Sequence, residues 1–119
     1  MANEAKETVK PVVIHDADNG RDYTLEFNRD AVKFAEARGF KIEDIDNFPL
    51  TKSVEFFWYA FRMHHPNFSL KQAEDMLLDR MGGMSEALAQ RLAELWLIPY
   101  AALNPATGEE KNSSVTVEL

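Results

Sequence analysis

Tyr23-Thr24-Leu25-Glu26-Phe27-Asn28-Arg29-Asp30-Ala31 changes its hydrophobic period part-way along. Tyr23, Leu25 and Phe27 alternate with polar residues, which puts all three on one face of a strand. Asn28 then breaks the alternation. Its side chain can accept a free backbone N–H, so it suits the N-cap of a helix, and Asp30 in the first turn complements the helix dipole. Beyond it Ala31, Phe34 and Ala35 recur at helical spacing until Gly39, a residue suited to ending a helix. A strand therefore runs into a helix with no linker between them.

Upstream, Val12-Val13-Ile14 reads as a partner strand. The intervening loop holds Asn19-Gly20, a pair that tolerates the positive φ angles of a tight turn. The result is a hairpin over about 12–27, which is marginal alone and must pack on helices. Residues 1–10 show no hydrophobic period and read as a flexible leader.

Downstream the periodicity predicts a short helical turn over 42–47, carrying Ile42 and Ile45 and followed by Phe48. Pro49 can start the next helix, predicted over 50–65 and closed by Pro66. Leu50, Val54, Phe57, Trp58 and Phe61 form one apolar stripe on it, and Phe56, Ala60 and Met63 form a second. Ser69 and Gln72 make a capping box for a helix over 70–81, with Leu70, Ala73, Leu77 and Met81 inward. Gly82-Gly83 breaks the chain before a last helix over 85–100, lined by Leu88, Leu92, Leu95 and Trp96. Residues 105–119 read as a mobile polar tail, although Val115-Thr116-Val117 has the alternation of a strand. The domain should span 11–104. Strands that come first and are not interleaved with helices make an α+β fold, mostly α: a hairpin followed by a bundle of four or five helices.

The 119 residues are 45% hydrophobic and 11% aromatic, enough to build the core of one domain. A formal charge of −7 repels phosphate, and the basic residues are scattered singly among acids. Nucleic acid and anionic membrane are thus poor partners. There is no cysteine, which removes disulfides and thiolate chemistry. No apolar run has the length of a membrane span, and the chain reads as soluble and cytosolic.

No polar constellation suggests catalysis, so no enzyme, cofactor or metal is expected. His64 and His65 are adjacent, hence about 100° apart on a helix, and read as a helix end near the dipole's negative pole. His15, Asp16 and Asp18 lack the glycine and closing glutamate of a calcium loop and read as a hydrated turn. Gly82-Gly83 lacks the lysine of a phosphate loop.

The aromatic run Phe56-Phe57-Trp58-Tyr59, with Phe61, is the most unusual local feature. A helix apolar on two sides is either central or covered by a partner. Aromatics and methionine are enriched in interfaces, so Phe56, Tyr59 and Met63 are expected to contact another chain. Trp58, Leu92 and Trp96 complete a groove between this helix and the last one. On that reading a charge at Tyr59 or Met63 leaves the monomer folded and abolishes client binding. Self-association through the same helix is a further expectation.

The ordered set Tyr23-Thr24-Leu25-Glu26-Phe27-Asn28-Arg29, Ala31-Val32, Ala37-Arg38-Gly39-Phe40, His64-His65-Pro66, and Leu92-Ala93-Glu94-Leu95-Trp96 with Pro99 resembles the tail assembly chaperones of long, non-contractile-tailed bacteriophages. The resemblance covers about 21–103. It implies a non-catalytic protein of the host bacterial cytoplasm that holds the tape measure protein in solution, helps recruit tail tube subunits, and is absent from the finished virion. The alternative is a small prophage-encoded adaptor or inhibitor with a host protein partner. A DNA-binding regulator ranks below both, since the last helix offers only Arg91 against Glu86 and Glu94.

Overall fold

A computed structural model of the protein describes residues 9–103. The proposed strand at Val115-Thr116-Val117, the tail after Asn104 and most of the leader lie outside these residues. Two antiparallel strands, β1 (Val12–Asp16) and β2 (Arg21–Leu25), form the hairpin. Helices α1 (Arg29–Ala37), α2 (Pro49–Tyr59), α3 (Leu70–Glu74) and α4 (Glu86–Tyr100) follow. A 3₁₀ turn at Ile42–Ile45 precedes α2, and a second, Ala101–Leu103, extends α4. The fold is α+β, mostly α. Among the described residues no helix is long and apolar enough to cross a membrane.

Local chemistry sets the element boundaries. Asn28 Oδ1 accepts the Ala31 amide at 2.8 Å, and Ser69 with Gln72 closes its capping box at 3.0 and 2.8 Å. Ser85 caps α4 through the Leu88 amide. Gly20 closes the hairpin turn with φ 71°, its amide donating to the Asp16 carbonyl.

One core joins the hairpin to the helices. Leu25, Ala35, Phe57, Ala60, Phe61, Ala73 and Leu92 lose all contact with solvent. Phe61 lies at its centre, stacked on Phe68 with ring centroids 3.9 Å apart and edge-on to Tyr23 and Phe57. Phe56 stacks between Phe27 and Phe40, and Trp96 meets all three edge-on.

Two predicted helices differ from those observed. The helix expected to reach 65 stops at Tyr59. Residues 60–64 form tight turns instead, and the Ala60 carbonyl accepts the Glu26 amide at 3.0 Å. His65 Nε2 accepts the Thr24 amide at 3.0 Å. Unwinding the helix thus satisfies the outer edge of β2, an edge that would otherwise be left without partners. His64 and His65 accordingly do not sit at a helix terminus, correcting the reading of them as dipole partners: His64 bonds Glu26 at 2.7 Å and His65 holds the strand. The helix over 70–81 in turn widens into a π-helical segment, Asp75–Arg80, closed by the Met81 amide donating to the Met76 carbonyl. Met76 is buried with Leu77, whereas Met81, expected inward, is 40% exposed at the chain's exit toward Gly82.

The hairpin turn is also more than hydrated loop. Asp16 is buried, and both its oxygens accept from Arg80, at 2.7 and 2.5 Å. Asp18 lies 3.0 Å from the same guanidinium. These donors are supplied from 64 residues away, so the sequence reading missed them. Hydrogen bonds from Arg80 hold the Asp16 carboxyl down at about 2, against the opposing effect of burial. A carboxyl depressed in the folded state stabilises the fold above its ordinary pKa near 3.8 and loses that contribution as pH falls to about 2. Urea midpoints followed by circular dichroism should therefore drop between pH ~4 and ~2 in the wild type. Asp16→Asn should lower the midpoint at neutral pH and flatten that acid limb. An unchanged limb would remove Asp16 from the account.

Candidate functional site

The six residues expected to meet a partner do not form one surface. Phe56 and Tyr59 are each 2% exposed, Leu92 is fully buried and Trp96 is 3% exposed. The expectation of a partner-facing aromatic stripe is corrected for these four. With α2 ending at Tyr59, its aromatics are surrounded by the hairpin, α1, α3 and α4, and the domain covers them itself. Trp58 is half-buried, its indole N–H donating to the Phe68 carbonyl at 2.8 Å. Arg38 lies over Trp58, and Arg62 lies over the neighbouring Phe34 at 3.7 Å from the ring centroid. Met63 alone is openly exposed, at 38%.

A different surface has the character of a binding site. The outward side of α4 carries Leu97 at 61% and Ile98 at 46% exposure, and Leu103 follows at 74%. Apolar side chains so exposed and so close in sequence mark an interaction surface more often than scattered single residues do. Two clefts flank Tyr100 between α1 and the end of α4. One, of about 520 Å³, is lined by Gly39, Phe40, Ile42, Trp96 and Leu97 together with Lys41 and Glu43. The other, of about 430 Å³, is lined by Val32, Pro99, Ala102 and Leu103 with Arg29 and Lys33. Glu36 and Tyr100 line both. The Tyr100 hydroxyl donates to the Glu36 carboxylate, and burial followed by that bond pushes its pKa up to about 12. The bond fixes Tyr100 where the two clefts meet, and together they form one trough between α1 and the end of α4.

Among the described residues, no group of three or more histidine, cysteine or acidic side chains could hold a metal ion. His15 pairs with Asp22 at 2.6 Å, away from Asp16 and its arginine. The polar clusters found here brace the hairpin.

The model of one family, described as a domain of unknown function (DUF5055), matches residues 1–119. The chain belongs to the DUF5055 family. No curated protein and no solved structure matches it. Within this DUF5055 chain, the trough beside Tyr100 contains one residue that the sequence reading assigned to partner binding, Trp96, which forms part of its floor. Leu97, Tyr100, Leu103, Arg29 and Lys33 were missed. Leu97-Ile98 was a visible signal, because both lie off the inward stripe of α4 that contains Leu92, Leu95 and Trp96.

Proposed function

We propose that this protein is a tail assembly chaperone of a long, non-contractile-tailed phage or prophage. It binds the tape measure protein, keeps it in solution and helps bring tail tube subunits to it. The observation that carries the reading is the α1–α4 trough with Leu97 and Leu103 exposed along it. The sequence resemblance over about 21–103 supports it, since β2, all four helices and the residues that line the trough fall within that range.

A long amphipathic client tends to aggregate until it is sheathed. A small domain that lays an apolar trough over the client's stripes protects it in the helix-in-groove manner. The formal charge of −7 keeps the complex dispersed. Tube subunits later displace the chaperone, so the interface is of modest size and dissociates quickly. The protein acts in the host cytoplasm and is left out of the finished particle.

The test is a pull-down of the tagged chain from cells in which its phage or prophage has been induced, read by mass spectrometry. Recovery of one very long, helix-rich protein, with or without tube subunits, is the expected result. A folded host protein as sole partner would replace this reading with that of an adaptor or inhibitor.

A further inference from the structure

We infer that the trough beside Tyr100 binds an amphipathic helix that carries acidic residues at one end, and that Arg29 and Lys33 read those acids. The inference deepens the chaperone reading and rests on it only for the client's identity.

The dimensions suit a helix. The trough follows α1 (Arg29–Ala37) and continues to Gly39 and Phe40 just beyond its end. The nine residues of α1 span about 13 Å, the length of two to three turns of a docked helix. Its walls are apolar, with Val32, Pro99 and Leu103 at one end and Phe40, Trp96 and Leu97 at the other. Such walls take the stripe formed by apolar residues at i, i+3 or i+4, and i+7.

The charges choose the kind of helix. Arg29 and Lys33 stand one turn apart on α1, both exposed, at the Leu103 end. Among the described residues neither lies within ion-pair distance of a carboxylate. Arg29 is moreover the first residue of α1, where the helix dipole disfavours a cation. A locally unfavourable charge beside an apolar cleft is a departure from local rules that functional surfaces tend to show. In a chain of formal charge −7, two cations with no ion-pair partner among the described residues select, at one end of a trough, a client with acids there and reject one with bases. Glu36, the nearest acid in the lining, is already occupied by the Tyr100 hydroxyl.

The probe is a synthetic, fluorescein-labelled, alanine-rich helix of roughly 18 residues, long enough to form in part on its own. It carries a leucine stripe and two glutamates one turn apart near one end. A control peptide has lysines in place of the glutamates. Fluorescence anisotropy with the full chain should show the acidic peptide binding roughly tenfold more tightly than the control. The double variant Arg29→Glu, Lys33→Glu should reverse that preference. Misfolding cannot produce a reversal, and glutamate at the start of α1 suits the dipole. Equal affinity for both peptides, or the same preference in the double variant, would overturn the inference. So would a dimer in sedimentation equilibrium that dissociates on Leu103→Ser, which would give the trough to a second copy. A peptide that binds only after Glu109→Ser and Glu110→Ser would assign it to the chain's own tail. The double variant also enters the induced-cell pull-down. Undiminished recovery of the long helical client would sink this site and leave the chaperone reading standing. Peptide selectivity without any such client would do the opposite.

Discussion

Tyr59→Glu is expected to leave no folded population at 25 °C, while Met63→Glu leaves the fold intact. Tyr59 is 2% exposed, packed edge-on to Phe34 and Phe40, and its hydroxyl accepts from Arg38 Nε at 3.3 Å. Removing a buried aromatic of this size costs about 3–5 kcal/mol. A carboxyl in its place must also give up its charge or its hydration, and each pKa unit of upward shift adds about 1.4 kcal/mol. For a shift of about 3–5 units the sum is about 7–12 kcal/mol, comparable with the roughly 5–15 kcal/mol that holds an ordinary domain together. Met63 lies in the turns after α2 and is exposed, so a charge there should shift stability by no more than about 0.5 kcal/mol. Near-UV circular dichroism and amide dispersion in NMR separate the two. A Tyr59→Glu protein with wild-type dispersion would show that Tyr59 is not part of the core. This reverses the expectation drawn from sequence, in which both positions tolerated charge.

Phe61→Ala should destabilise the domain by about 3–5 kcal/mol with the fold retained at low denaturant. Phe61 is fully buried and packs against four rings: Phe68, Tyr23, Phe57 and His65. They come from β2, from α2 and from the segment before α3, so the site has little freedom to collapse around the missing ring. Urea unfolding should show a lower midpoint at unchanged slope. A loss below about 1 kcal/mol would mean that Phe68 and Tyr23 close the gap, and that Phe61 does not pin the hairpin to the helices. Phe61→Leu should recover most of the difference, since it restores much of the volume.

The contrast between Tyr59 and Met63 also shows where the sequence stopped informing. Both lie in a run whose apolar period continues unbroken from Val54 to Met63, and both were assigned to a surface. Periodicity reports which residues share a face of a helix. It does not report where the helix ends when the end is set by a partner distant in sequence. Here the partner is the edge formed by β2 and the residue after it, where the outward Thr24 and Glu26 amides draw the His65 ring and the Ala60 carbonyl out of the helical pattern. Asp16 repeats the lesson. From sequence it stood in an acidic turn, and Arg80 was no nearer to it than any other cation.

Where the decisive interaction is local, the sequence alone determined the outcome. Asn28, Ser69 with Gln72, and Gly20 act within a few residues of their own positions, and they placed the hairpin turn and the starts of α1 and α3. The alternation of Tyr23, Leu25 and Phe27 and the stripe of Leu92, Leu95 and Trp96 likewise named core residues, because burial follows the period of the element that carries them. The order of strands and helices then gave an α+β fold, mostly α. Tertiary structure decided the rest: the early end of α2, the π-helical turn bearing Arg80, the burial of Phe56 and Tyr59, and the trough between α1 and α4. Each depends on groups brought together from distant parts of the chain, and only the folded chain puts them within hydrogen-bonding or packing distance.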